Sequence, residues 1–484
     1  MTENTYSEFG FAYDDFLPPH EPEAPADADT GPALPFALSG VDLLSPPGFV
    51  GQVTDWIDAQ CRYPRRRLAV AAALVSLGNI GGLRHVDLDY EITANLMTFC
   101  VAASATGKER ILEATQQLMG AAGMSRVMHG GIKSEQEITR NLIEHQAACY
   151  VVDEIGIFLT KVRNAQKRGG ATYLEGVFGA LMSIYSKAAG RYLLSGDVRR
   201  DLRKVYSQMM SACQKEGDED GATAAKRMLD MVDQGLHRPF LSVIGFTTPG
   251  TFDETIDGAS AEQGFIGRAL IIHEHDINPA PRAKFSRVPM PDQMQLRLAA
   301  LAQGGVMDAM KRQSARVEWT GDMEPIGTEP DAHVMIRDAM DWSIAYAAFM
   351  DENTGGASVA MVRRMIEQML KVSLILAIPH GVRTADHVRW AFAYCRAELD
   401  AKVRDVFAND NATARPDEAL AARILRYIGE DGLSVKTLSN RMKTKPDKLE
   451  AILKRLEASG DAAQSPGKRK VKGKPIAVWR ATSS

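Results

Sequence analysis

The stretch from Thr98 to Gly156 constrains the fold more than any other part of the chain. Leu96 to Ala103 is an apolar run of strand length, and Arg110 to Met119 carries apolar residues at helical spacing without proline. Between them lies Ala105-Thr106-Gly107-Lys108-Glu109. Strand, small-residue loop, Gly-Lys and helix form the context in which backbone amides and a helix N-terminus face phosphate oxygens while the lysine reaches the terminal ones. Downstream, Ala148 to Val152 is a second apolar strand ending in Asp153-Glu154. There the first carboxylate is expected to hold a magnesium shell and the second to polarise an attacking water.

The loop departs from the usual phosphate-binding pattern at both ends. Ala102 stands where the pattern opens with glycine, and Glu109 stands where it closes with serine or threonine. A carboxylate at that place can ligate magnesium as a hard oxygen donor, or it can repel the phosphates. Both readings stay open on the residues alone. The loop and the Asp-Glu strand together, in the right order and context, point to a nucleoside triphosphate site.

Length allows about three domains. With 484 residues, 45% hydrophobic and 24% charged, there is apolar material for a large core. The net charge of −4 gives no bulk field for nucleic acid, but its distribution is uneven. Residues 417–484 hold 15 Lys/Arg against 8 Asp/Glu, an excess of +7, and the remainder carries −11. This asymmetry suggests a small basic module on an acidic body. The five scattered cysteines argue against a disulfide framework or a zinc site and fit a reducing cytoplasm. No signal peptide is expected at the acidic N-terminus, and the longest apolar run is too short to span a membrane.

Residues 1–45, rich in Pro, Ala, Asp and Glu, read as a disordered tail. Its cluster Phe9, Phe11, Tyr13, Asp14, Asp15, Phe16 is either a short docking motif or stray aromatics. Residues 46–95 form a helical segment, with Val50, Val53, Trp56 and Ile57 on one face and a second helix over Arg65 to Leu77, opened by Pro64. Arg65, Arg66 and Arg67 read as a solvated face, with contact to DNA phosphates as the alternative. Val86 to Tyr90 alternates as a strand. Ser134-Glu135-Gln136-Glu137 is a capping box before a helix burying Ile138, Leu142 and Ile143. Lys161 to Gly170 reads as a basic loop, either a surface loop or one gripping single-stranded nucleic acid. Gly176 to Tyr185 is helical, Arg191 to Leu194 a short strand, and Gln214 to Asp220 a loop.

Pro239 to Pro249 is a third buried strand. Thr247 or Thr248 at its end could sense a γ-phosphate, or only form a turn. Arg268, after Gly264-Phe265-Ile266-Gly267 and before the strand Ala269 to Ile272, is a candidate arginine finger acting on a neighbouring subunit's nucleotide.

In that order, Pro46-Pro47-Gly48-Phe49-Val50, Asn95-Leu96, Ala105-Thr106-Gly107-Lys108-Glu109, Ser134, Val152-Asp153-Glu154 and Gly264-Phe265-Ile266-Gly267-Arg268 resemble a P-loop ATPase family. The family is carried by phages, prophages and plasmids and often described as replicative or primase-associated helicases. The resemblance covers roughly residues 46–404. It implies an α/β RecA/AAA+-like core with a parallel sheet and a helical lid, ATP and Mg2+ as cofactors, and a ring oligomer with sites between subunits. It also implies that an acidic residue after Gly-Lys is ordinary.

Under this reading the core spans 96–290 and the lid 291–407. Asp331 to Phe349, Val359 to Ile378 and Asp386 to Val406 are lid helices, with Met361, Met365, Met369 and Leu370 as a core stripe. Arg363 or Arg364 resembles the lid arginine that ring ATPases place on bound nucleotide. The catalytic set is Lys108, Asp153, Glu154, Thr247 and Arg268. The nucleotide-binding set is Ala105, Thr106, Gly107, Lys108, Glu109, Arg110 and Arg364, and magnesium falls to Glu109 and Asp153.

After a polar linker at 408–416, residues 417–484 resemble a winged helix. Helices run over Leu420 to Ile428, Ser434 to Met442 and Pro446 to Ser459, and two strands flank a basic glycine turn. Lys445, Lys448, Lys454 and Arg455 would face a DNA groove, with Lys468, Arg469, Lys470, Lys472 and Lys474 on the backbone. Winged helices also serve as protein-interaction modules.

Two functions follow as expectations. The first is a ring-forming, hexameric replicative helicase, with single-stranded DNA in the ring and duplex DNA at the winged helix. The second is a nucleotide-switched initiator or helicase loader with slow turnover. A primase or host replication protein is a candidate partner, and no primase active site stands out.

Overall fold

A computed structural model describes residues 31–481, except 105, 169–171, 254–264, 277–278, 304–322, 355, 415–419, 422–423, 426–427, 429–431, 443 and 472–473. The fold is mixed α/β, built on a five-stranded parallel sheet, with a winged helix at the C-terminus. The sheet strands are β1 (Met97–Val101), β2 (Met128–His129), β3 (Ala147–Val152), β4 (Phe240–Thr247) and β5 (Leu270–His273). Their order is β2-β3-β4-β1-β5, with every pairing parallel. All residues of β1, β3 and β4 are buried, which explains why these strands read as unbroken apolar runs.

The order fixes where the helices go. From β1 the chain crosses to the far edge at β2, then returns through β3 and β4 and passes β1 to reach β5. Right-handed crossovers therefore put the helix after β1 on one face and the helices after β2 and β3 on the other. The first is α3 (Lys108–Ala121), which packs with α1 (Gly48–Ala59) and α2 (Arg66–Gly82). The others are α4 (Glu135–His145), against β3, and α5 (Ile155–Arg168) and α6 (Thr172–Ser186), against β4. The chain changes direction between β1 and β4, and in open α/β sheets that crevice at the strand C-termini is where ligands bind.

Helix α2 is buried at every residue from Leu68 to Gly82. Its glycines let it lie close to its neighbours: a methyl on Gly82 would come within 2.5 Å of the Phe240 ring. Helices α9 (Asp292–Gln303), α10 (Pro330–Thr354), α11 (Gly356–Ala377) and α12 (Ala385–Ala414) share one hydrophobic core with the sheet, including the buried Met361, Met365 and Met369. The expected lid is thus packed into the body. Helix α12 also covers the edge strand β5: Glu398 accepts from the Ile271 amide at 2.8 Å, and Lys402 donates to the Ala269 carbonyl at 2.8 Å. These two buried side chains lie 3.0 Å apart and satisfy backbone groups that an edge would leave open.

The structure departs from the sequence expectations at several places. Residues 31–45, expected as disordered tail, lie along the helices: Phe36 meets Phe392 edge-on at 5.0 Å, Trp342 donates to the Pro32 carbonyl and Trp390 to the Asp42 carbonyl. The docking cluster from Phe9 to Phe16 lies outside the described residues. The strand expected over Val86 to Tyr90 is only His85–Val86, because the Asp87 carboxylate accepts from the Asp89 and Tyr90 amides and turns the chain. The basic segment from Lys161 continues α5 to Arg168. The loop expected over Gln214 to Asp220 shrinks to Gly217 and Asp218, between α7 (Gly196–Glu216) and α8 (Glu219–Gln234), with left-handed Gly217 ending one helix and the Asp218 carboxylate capping the next. The linker expected from 408 is helical as far as Ala414.

The winged helix has its own core of Ile424, Ile428, Leu438, Leu449, Leu453, Leu456 and Trp479. Its elements are α13 (Val435–Met442), α14 (Pro446–Ser459), and the antiparallel strands β6 (Ala462–Val471) and β7 (Lys474–Ala481). Pro446 starts α14 and left-handed Gly460 ends it. Leu433 pairs with Trp479 as a third short member of this sheet.

Candidate functional site at the strand ends

The Gly-Lys loop leaves β1 at the direction change of the sheet. Gly107 has φ +85°, a left-handed conformation suited to glycine, and caps α3. The first-turn amides of α3 are therefore presented at the C-terminal ends of β1 and β4. Ala105 lies outside the described residues. Thr106 is buried and its hydroxyl donates to the Ala103 carbonyl at 2.7 Å.

Lys108 is buried, and its Nζ lies 2.8 Å from Glu154 Oε1. Glu154 has φ +55°, a strained value for a residue with a side chain, of the kind that accumulates at functional sites. Asp153 is exposed, and its carboxylate accepts from the Glu154 amide at 3.1 Å. Thr247 ends β4, beside β3. Its hydroxyl is buried without a hydrogen-bond partner among the described residues. A methyl on Gly156 would collide with that hydroxyl, so glycine here lets the start of α5 close over the end of β4. Glu109 is exposed in the first turn of α3, and Arg110 pairs with Glu113 at 2.6 Å.

Lys108, Glu154 and Thr247 are thus brought to one end of three adjacent strands. Glu109 and Asp153 belong to the same end. Among the described residues no group of three or more His, Cys, Asp or Glu side chains is placed to hold a metal by itself. Two exposed carboxylates beside a phosphate-type loop still fit magnesium, which takes one or two protein carboxylates plus substrate phosphates.

Arg65, expected on a solvated face, is instead buried against the loop. Its Nε donates to the Thr106 carbonyl at 2.6 Å, its guanidinium also reaches the Asp276 carbonyl, and its amide donates to Asp58 at 2.8 Å. Arg66 pairs with Asp55 and bonds the Leu44 carbonyl, leaving Arg67 exposed as expected. Nothing in the sequence tells Arg65 from its two neighbours.

Arg268 and Arg364 lie at the other end of the sheet. Leu270 pairs with Thr98, so Arg268 stands level with Leu96. At about 3.3 Å per residue, that is roughly 16 Å along the sheet from Val101, farther than an arginine side chain extends. Arg268 Nε donates to Ser186 Oγ at 3.0 Å. Arg364 packs over Gly267, where a methyl would come within 2.8 Å of its Cδ. Burial, and then the Arg364 guanidinium, lower the pKa of Arg268. Helix α11 carries Arg364 to Arg268, away from Lys108 of the same chain.

In the winged helix, Lys445, Lys448, Lys454 and Arg455 are all exposed on or beside α14. The side chains of Lys468, Arg469, Lys470 and Lys474, and the whole of Lys472, lie outside the described residues, as does Gly264.

Residues 408–468 match the family model of the DprA winged helix domain. No curated protein matches the chain. Among the described residues no helix is long and apolar enough to cross a membrane.

Proposed function

We propose that the chain is an ATP-dependent DNA replication protein of a phage or mobile element, a ring-forming helicase that couples ATP hydrolysis to movement on DNA. The observation carrying this reading is the convergence of Lys108, Glu154 and Thr247 at the carboxyl ends of three adjacent parallel strands, at the direction change of the sheet.

In this reading the amides of the loop and of the first turn of α3 bind the β- and γ-phosphates. Lys108 exchanges Glu154 for the terminal phosphate oxygens. Glu154, released from that ion pair, orients the attacking water, and Thr247 donates its unused hydroxyl to the γ-phosphate or the water. Glu109 and Asp153 would hold magnesium, whose charge offsets that of the phosphates. Arg65 holds the Thr106 carbonyl of the loop. Its replacement by alanine removes a buried charge-assisted hydrogen bond, so denaturant unfolding is expected to show a loss of about 1.5–3 kcal/mol of stability.

The winged helix supplies the duplex contact. Its exposed cations on α14 and its basic wing suit the DNA backbone, and the likeness to the DprA winged helix domain supports a DNA role. Deleting residues 417–484 is expected to weaken duplex binding and flatten its salt dependence; unchanged binding and slope would remove DNA from this domain's role. Strand separation by the purified protein tests the helicase assignment. Brisk, DNA-stimulated hydrolysis without unwinding would turn the reading to a loader or initiator.

A further inference from the structure

The negative charge outside the winged helix is not spread over the body. Of the −11, −9 lies in the first 45 residues, which hold nine Asp/Glu and no Lys or Arg, and only −2 is left on residues 46–416. Eight of those nine acids precede Gly31, with Asp14-Asp15 and Glu21-Pro22-Glu23 the densest groups. The winged helix, at +7, carries nearly the opposite charge. Runs of one sign without counter-charges are characteristic of interaction tails.

The strap at 31–45 fixes where this acidic segment joins the body. A methyl on Gly31 would come within 2.9 Å of the Phe349 ring, Trp342 donates to the Pro32 carbonyl at 3.3 Å, and Phe36 meets Phe392 edge-on. Phe392 lies on α12, the helix that runs on to Ala414 and hands the chain to the winged helix. From Phe392 to Ala414 is 22 residues of helix, about 33 Å. Thirty residues span at most about 100 Å, so residues 1–30 start within reach of the winged helix of their own chain. There Lys448, Ala451 and Arg455, at i, i+3 and i+7, share one exposed side of α14, with exposed Lys445 just before the helix. The exposed Asp447, Glu450 and Glu457 lie on the other side, which restricts an acidic ligand to the side of Lys448 and Arg455.

We propose that residues 1–30 dock on the basic side of the winged helix of their own chain and compete there with duplex DNA, so that the acidic segment restrains DNA binding until a duplex displaces it. This docking presupposes the duplex contact proposed above and stands apart from the ATPase reading. An acidic peptide offers carboxylates where DNA offers phosphates, and both are drawn to the same Lys and Arg side chains. Single exposed ion pairs are weak, about 0–1 kcal/mol each. Attachment to the same chain offsets that weakness, because a tethered segment acts at an effective concentration on the order of millimolar. A segment docked nine-tenths of the time lowers the apparent DNA affinity about tenfold.

Duplex affinity of the full chain and of a chain lacking residues 1–30, read by anisotropy of a labelled duplex at low salt, tests the competition. The deletion is expected to tighten binding about tenfold, with the difference shrinking as salt screens the ion pairs of the segment. Loss of negative charge also favours DNA from a distance, so contact is measured separately. A labelled peptide of residues 1–30 should bind the chain lacking 1–30 and be displaced by unlabelled duplex. Its affinity should fall about tenfold or more toward a chain lacking both 1–30 and 417–484. The double substitution Lys448→Glu and Arg455→Glu, at two exposed positions, guards against a misfolded deletion and should weaken the peptide in the same direction. Equal duplex affinity with and without residues 1–30, or peptide binding indifferent to the winged helix, would overturn the docking. A chain lacking 1–30 that binds the peptide but no duplex would overturn the DNA reading of the winged helix, and the competition with it.

Discussion

If the proposed ATPase reading holds, Lys108→Ala is expected to lower ATP turnover by about 10²–10³-fold or more, the scale on which a single preorganised cation or donor at a transferring group acts. The side chain is buried at the mouth of α3 and lies 2.8 Å from Glu154. Its loss removes positive charge where the γ-phosphate would develop negative charge, and it also breaks the ion pair that holds Glu154. The fold should survive, because α3 is anchored by Ile111, Ala114, Leu118 and Met119, not by Lys108. A steady-state assay beside a melting curve checks both halves. Turnover within a few-fold of wild type would remove the loop from the chemistry.

Arg383→Met is expected to cost about 3–5 kcal/mol of stability, the usual penalty for leaving one member of a buried ion pair unpaired. Arg383 and Asp87 are both fully buried and lie 2.5 Å apart. Arg383 also donates to the Leu370 carbonyl at 3.3 Å and to Thr328 at 3.3 Å. It therefore joins the turn after α2 to α11 and to the short strand pairing of Gly327–Thr328 with Val382–Arg383. With Asp87 left charged in a dry interior, denaturant unfolding should move to lower concentration. Combining the change with Asp87→Asn should recover part of the loss. Equal stability of Arg383→Met and wild type would show that the pair contributes nothing net.

What the sequence discloses of this fold depends on whether a signal is local. The β1–loop–α3 unit is legible because the apolar period changes from strand to helix across Gly107-Lys108, and Gly107 takes the left-handed conformation the turn demands. Helix α14 is legible residue for residue, from Pro446 to Ser459, because proline starts it and Gly460 ends it. The hairpin of α7 and α8 is hidden because its charged turn reads as loop, although Asp218 three residues before Gly221 is a capping signal. The strap at 31–45 reads as disorder because its partners, Trp342, Trp390 and Phe392, lie more than three hundred residues away in the chain.

The site divides in the same way. Lys108, Asp153 and Glu154 follow from strand ends, and Thr247 from the next strand in the sheet. Arg65 and Arg364 do not, because what each side chain does depends on which end of the sheet its helix reaches. That is a property of strand order, and no window of residues around Arg65 or Arg364 contains it. Lys371, the residue after the stripe of Met361, Met365, Met369 and Leu370, is buried, and burial lowers its pKa to about 8, opposed by Glu367.

The most direct measurement is ATP hydrolysis by the full-length protein with and without single-stranded DNA. An ATP-driven DNA motor should hydrolyse ATP slowly alone and several-fold faster with DNA, with the stimulation fading as salt rises. No hydrolysis under either condition, or hydrolysis indifferent to DNA at every salt concentration, would contradict the account.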